Sequence, residues 1–373
     1  MKKLFILFLA IFSLLSNAQN RCGTKAYTNA LMKKYPEYEE ARKKVNTETR
    51  NWIANYNITK LPEIISIPVV VHIVWNTAAE NISDSRVFEQ IEILNNDYRR
   101  TNIDVINTPS VWQGIAADCE IEFCLATIDP NGNTTSGITR TETTVSQFAI
   151  WGGASVEDAS DGGKDAWPND DYLNIWVCDL GNGLLGYASP PSSWSNSDDG
   201  VVINYRNFGL SGNANQPYHK GRTATHEVGH WLNLDHIWGD NNCGNDNVTD
   251  TPVQEEENYG CPGFSHNTNS CGTTNNNGDM FMNYMDYTND ACMNLFTQGQ
   301  KTRMISAINQ YRSNHLNQTN CNGPTSIINI PNKSRELIKV IDILGRVILK
   351  PKTNTHLFYI YDNGSVEKKI ILN

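Results

Sequence analysis

The segment Thr223–Trp238, TATHEVGHWLNLDHIW, holds the residue types of a metal-dependent hydrolase at a usable spacing. His226 and His230 are four apart, so on a helix both imidazoles leave from one face. That spacing suits two ligands of one zinc ion. Glu227, beside the first, can take a proton from a metal-activated water and pass it to a departing amine. Gly229 leaves room inside the motif. His236 lies six residues beyond His230, too far along to share the face of a straight helix. The helix must end near Asn233 and turn back. Asparagine suits that turn, being the most tolerant residue after glycine of a left-handed backbone. Three histidines and a glutamate leave a coordination place for water, as in catalytic rather than structural zinc sites.

The surrounding elements must position this motif. Residues 64–76, IISIPVVVHIVWN, form a β-branched run, and Val69–Trp75 reads as a central strand, with Pro68 marking its start or a bulge. Residues 84–100 carry a helical stripe of Val87, Ile91, Leu94 and Tyr98, with Ser83 as cap. Strands follow at 121–126, at 171–179, where Leu173, Ile175 and Val177 alternate as in an edge strand, and at 199–205. Thr223–Leu234 and Gln298–His315 read as helices. Residues 239–280 have almost no periodicity, and so long an irregular stretch needs disulfides, a metal or both to hold it. Residues 24–56 read as helical and charged, a surface pair or a removable pro-segment.

The chain of 373 residues has a formal charge of −10 and 39% hydrophobic residues. That composition is globular, and without a broad basic field it points away from nucleic acid as partner. Lys2 and Lys3, the apolar run Leu4–Leu15 and small residues to Ala18 read as a signal peptide over 1–18. No other stretch nears 18 apolar residues, so no transmembrane segment is expected in the mature protein. Export permits disulfides. The nine cysteines are an odd number, so at least one has no partner within the chain. Beyond Gly323 and Pro324 the character changes to short β patterns at 337–341, 346–349, 358–361 and 366–372, separated by turn signals at Leu344-Gly345, Asn354 and 362–364.

His226-Glu227-x-x-His230-x-x-Asn233-x-x-His236, the segment Asn283-Tyr284-Met285-Asp286-Tyr287 and the stretch Cys292–Gln300 together resemble the metzincin metalloproteases, and within them the pappalysin family, especially its small bacterial members. The resemblance spans about residues 65–315. Asn233 departs from it, since the family usually has glycine there. The resemblance implies an α+β (α/β-type) catalytic domain. It has a twisted mixed β-sheet, an active-site helix and a mostly irregular C-terminal subdomain. It implies that His226, His230 and His236 bind one zinc ion and that Glu227 is the general base and acid. Met285 would form a supporting Met-turn, and Tyr287 would lie near the metal and hydrogen-bond the tetrahedral intermediate.

Substrate is expected to run beside the strand 173–177 and the rim Gly183–Tyr187 by β-augmentation. A preference for a basic residue after the scissile bond would come from Asp290. Asp246, the Val248 carbonyl and Thr251 resemble the family's structural Ca2+ site. The resemblance also implies disulfides Cys243–Cys271 and Cys261–Cys292. Cys22 would be a latency ligand on the zinc, in a pro-segment over 19–60 removed at Arg50 or Lys60; the alternative is a disulfide from Cys22 to Cys321 or another cysteine. The catalytic domain would then cover 61–320. Residues 325–373, with Asn329–Asn332 and Ile338–Val347, resemble a type IX secretion sorting domain, which implies export through that machinery. The expectation is a secreted, monomeric zinc endopeptidase acting on proteins or peptides. The alternative is a catalytically impaired metal-binding adhesion or surface-binding protein.

Overall fold

The computed structural model describes residues 21–55, 64–150, 153–181, 183–192, 198–211, 216–272, 275–317, 320–321, 337–342, 346, 348, 356–361 and 366–370. The expected signal peptide, Lys60, Asn329–Asn332 and the turns at 344–345, 354 and 362–364 lie outside the described residues. The chain divides into two compact units, Met1–Asn322 and Gly323–Asn373.

The first unit begins with two helices, α1 (Thr24–Lys34) and α2 (Pro36–Asn55). A sheet follows, built from β1 (Ile65–Trp75), β2 (Ile121–Leu125), β3 (Ile138–Glu142), β4 (Leu173–Cys178), β5 (Gly186–Ala188) and β6 (Gly200–Asn204). Its order is β2-β1-β4-β6-β5, with β3 also on β1. All pairs are parallel except β5 with β6. On one side, β1 pairs first with β2 along Ile65–Val69 and then with β3 along Val71–Trp75.

Strand β1 starts before Pro68, not at it. The Ile65 and Val71 N–H groups and the Val69 carbonyl all bond toward β2 and the residue preceding β3. By alternation, Pro68 turns its missing donor the other way, where β4 pairing begins only at Val69.

Alternate β1 residues Ile65, Ile67, Val69, Val71 and Ile73 join the main core with Val87, Ile91, Leu94 and Tyr98 of α3 (Asp84–Tyr98). Ser83 caps α3, its Oγ accepting from the Arg86 N–H. A one-turn helix α4 (Ser110–Gln113) follows α3. The same core takes Val228 and Trp231 of α5 (Arg222–Trp231) and Met304, Ile305 and Ile308 of α6 (Gln298–Tyr311). Thr297 and Gln300 close α6's first turn as a reciprocal capping box.

The expectation that 171–179 forms an edge strand is corrected. β4 lies between β1 and β6 and is buried throughout. Its polar Asn174 mimics an exposed position in the sequence but is satisfied inside, accepting from the Trp167 N–H and donating to the Trp167 carbonyl. On that side the sheet ends at the three-residue β5, whose Gly186 carbonyl accepts from the Gly23 N–H.

The second unit forms an antiparallel sheet, β7 (Leu337–Asp342), β8 (His356–Tyr361) and β9 (Val366–Ile370). The strand expected at 346–349 is not seen at its described residues, Arg346 and Ile348, although the Ile348 N–H donates to the Val340 carbonyl.

Candidate active site

Helix α5 starts where Arg222 is clamped by Asp97 and Asp104, while the Thr225 hydroxyl and the Tyr284 hydroxyl also donate to Asp97. This buried network fixes the helix that carries His226, Glu227 and His230. The helix ends at Trp231, and Asn233 has φ 72°, the left-handed turn the sequence required. The Leu234 N–H closes back on the Gly229 carbonyl, 2.9 Å, and the chain returns with His236.

Each imidazole is oriented through Nδ1. The acceptors are the Tyr284 carbonyl for His226 at 2.7 Å, the Leu234 carbonyl for His230 at 2.7 Å and Asp240 Oδ1 for His236 at 2.5 Å. With Nδ1 carrying the proton, every Nε2 offers a lone pair. His230 Nε2 lies 3.2 Å from His226 Nε2 and 3.1 Å from His236 Nε2. Edges of a tetrahedron with Zn–N bonds of about 2.0–2.1 Å measure about 3.3 Å, so the three nitrogens fit one such ion. Burial and neighbouring histidines push the His226 pKa well down and that of His230 to about 3, which keeps both neutral as ligands require. Burial opposes the charge of Asp240, but His236 and Lys25 hold its carboxyl down at about 2.

Cys22 Sγ and the three histidine nitrogens all lie within 4.8 Å of one another, a group that could hold one metal ion. A nitrogen and sulfur set of this kind suits zinc, and the buried Glu227 Oε1 beside it has no hydrogen-bond partner. Glu227 Oε2 is 3.2 Å from Cys22 Sγ and accepts from the Thr24 hydroxyl at 2.9 Å. Burial pushes Glu227 up to about 7. Cys22 is not paired to Cys321, because Cys321 bonds to Cys124. Cys119 and Cys178 are also free and buried. The expected pairs Cys243–Cys271 and Cys261–Cys292 are present.

The segment after residue 280 forms the floor. Tyr284 holds His226, and Met285 packs so closely under Gly229 that a Cβ there would lie 2.6 Å from Met285 Sδ. Tyr287 is buried beside His226 and His236, with its hydroxyl 3.5 Å from the Cys22 carbonyl oxygen. Asp286 braces the turn by accepting from Gln254 and Asn258, and burial raises its carboxyl to about 6.

Asp290 is fully buried, accepts from the Lys220 and Arg222 N–H groups and lies 3.6 Å from the guanidinium of Arg21. Arg21 also donates to the Thr288 carbonyl and stands over the Tyr218 ring at 5.0 Å. Asp246 accepts from Thr251 Oγ1 at 2.8 Å and from the Val248 N–H at 3.1 Å, and Thr251 Oγ1 also donates to the Val248 carbonyl. Sequence reasoning missed Arg21, Thr24 and Asp240. Their signals were faint: Arg21 adjoins Cys22, and Asp240 lies one helical turn's spacing beyond His236.

The profile of the family described as Pregnancy-associated plasma protein-A matches residues 158–309. An extracellular metalloprotease of Arthroderma otae is 30% identical over 258 residues, covering 67% of this chain and 80% of its own length. One from Colletotrichum graminicola is 29% identical over 314 residues, covering 80% of this chain and 93% of its own. Among solved structures, a Tannerella forsythia promirolysin variant is 46% identical with a TM-score of 0.71, covering 81% of this chain and 98% of that one. Mature mirolysin in complex with a cleaved peptide is 50% identical with a TM-score of 0.65, covering 70% and 98%.

A mostly parallel sheet over a helix with two facing histidines, a third delivered by a left-handed turn and a methionine beneath them define a metzincin metalloprotease. Within that class, the chain belongs to the pappalysin family.

Proposed function

We propose that the protein is a secreted zinc endopeptidase made in a latent form, with His226, His230 and His236 as ligands and Glu227 as general base and acid. The observation that carries this reading is the convergence of three oriented Nε2 atoms beside a buried glutamate. Zinc bound there supplies Lewis-acid polarisation of the scissile carbonyl and acidification of water. Glu227 takes the proton of the attacking water and delivers it to the leaving nitrogen. The Tyr287 hydroxyl donates to the carbonyl oxygen as charge develops on it. Backbone groups of β5 align the substrate by β-augmentation.

Residues 19–60 are the pro-segment. Cys22 would be the fourth ligand of a bound zinc ion, and Thr24 engages Glu227, so this stretch stands where the attacking water and the substrate would bind. Asp290 sets a preference for Arg or Lys after the scissile bond. The Arg21 guanidinium, 3.6 Å from that carboxyl, supports this reading. Asp246, the Val248 carbonyl and Thr251 hold a structural Ca2+, and residues 325–373 serve export by type IX secretion. Names of relatives as extracellular metalloproteases and a promirolysin match support export and latency. The intact Glu227 and the ordered ligands weigh against the impaired binding-protein reading.

Cleavage of peptides that differ only in the residue after the cut tests the pocket. The activated protein should cut Arg and Lys peptides at least tenfold faster than Gln or Leu ones. Asp290→Asn should lose most of that ratio; equal rates in the wild type would refute the assignment.

A further inference from the structure

The stretch from Arg21 to Tyr27 crosses the site in one direction. Arg21 enters the Asp290 pocket, Cys22 reaches the metal ligands, and Gly23 and Tyr27 lie on the far side. There the outer edge of β5 is covered. The Gly23 N–H donates to the Gly186 carbonyl at 2.8 Å, and the Ala188 N–H donates to Thr24 Oγ1 at 2.8 Å. These are the groups an extended substrate would pair with.

Beside them lies an apolar ledge. A Cβ on Gly23 would fall 2.3 Å from Ile150 Cδ1, 3.0 Å from Leu184 Cδ1 and 3.3 Å from Tyr187 Cβ. A side chain at position 23 would push the Ile150 and Leu184 methyls aside. The ring of Tyr27 packs on that of Tyr187, centroids 5.3 Å apart. Tyr187 is fixed from behind, its hydroxyl donating to the buried Glu157 Oε1 at 2.7 Å. Ile150 and Leu184 pack on the same small core as Tyr187 and Tyr27. The ledge is thus a preformed aromatic and aliphatic surface, with no charge presented toward Tyr27 by these three side chains. An aromatic side chain of this chain already occupies it.

We infer that Ile150, Leu184 and Tyr187 form a second specificity subsite, which takes an aromatic or large aliphatic side chain from among the last few residues before the scissile bond. This rests on the proposed endopeptidase reading, with Asp290 on the opposite side of the metal. Tyr27 and Arg21 then stand in the two pockets that a substrate fills, one on each side of the cut. A preformed platform of this kind lowers the ordering cost of an extended peptide, and aromatic packing adds to area burial.

The test uses the full chain activated by removal of its pro-segment. Peptides carry Arg or Gln after the cut, and in each set the three positions before it are varied in turn through Tyr, Leu, Gly and Asp. At one position, Tyr and Leu should exceed Gly and Asp by about tenfold in kcat/KM, equivalent to about 1.4 kcal/mol. Leu184→Asp should abolish that ratio while the Arg preference after the cut persists. Cleavage that requires Arg but ignores every position before it overturns the ledge and leaves the Asp290 reading intact. Loss of the Arg requirement with the upstream preference retained would overturn the Asp290 reading alone. Should Leu184→Asp not fold, the wild-type peptide series decides by itself.

Discussion

Asn233 does two things at once, and replacing it with glycine separates them. Its backbone occupies the left-handed region, φ 72°, to deliver His236. Its carboxamide meets α2: Oδ1 accepts from Arg42 Nη1 at 3.1 Å, and Nδ2 donates to Thr49 Oγ1 at 3.2 Å. All three residues are buried. Glycine adopts the turn more easily, so Asn233→Gly should not lower the melting temperature of the activated enzyme. The same change leaves Thr49 short of a partner and takes one from Arg42, which keeps the Pro191 carbonyl. Two buried hydrogen bonds, one of them charged, amount to about 2 kcal/mol net, or about 30-fold in a binding constant. The assay is inhibition of activated wild type and Asn233→Gly by a peptide spanning residues 19–60 added in trans. The variant should need about 30 times more peptide. An unchanged inhibition constant would refute the view that Asn233 clasps the pro-segment.

Two further outcomes follow from the same geometry. Cys22→Ala in the full chain should weaken latency, giving peptidase activity before any cut, because the ligand that fills the fourth place is gone; a silent variant would mean that Arg21 and Thr24 suffice. Asp286 has a folded pKa of about 6, raised above its unfolded value by burial. Its contribution to stability is therefore complete below pH 4 and lost as pH rises through 6, on the order of 3 kcal/mol. Asp286→Asn should flatten that part of the pH dependence in denaturant unfolding, and parallel curves for the two proteins would contradict it.

How far the sequence reached depended on how local the cause was. The motif helix, its end at Asn233 and the return of His236 follow from spacing and backbone tolerance within fourteen residues. Strand β1 was legible because its β-branched run is long, and α3 because its stripe and its Ser83 cap agree. The role of β4 was not, since alternation reports which face a residue takes and says nothing of neighbours; its polar Asn174 is satisfied inside the protein by Trp167. The true edge, β5, has three residues and leaves no periodic trace. The two loop disulfides came from family resemblance, whereas Cys124–Cys321 joins residues 197 apart, beyond any local signal. The same holds for Arg21 with Asp290 and Arg42 with Asn233, whose partners meet only once the chain is folded.

The proposed chemistry requires that three histidines hold one zinc ion and that Glu227 works on water beside it. Bound zinc and peptidase activity should be measured together on the activated wild type and Glu227→Ala. About one zinc per chain is expected in both, with activity in the wild type abolished by a chelator and nearly absent from the variant. Zinc-loaded wild type that cuts no peptide, or a Glu227→Ala protein that cuts as well as the wild type, would contradict it.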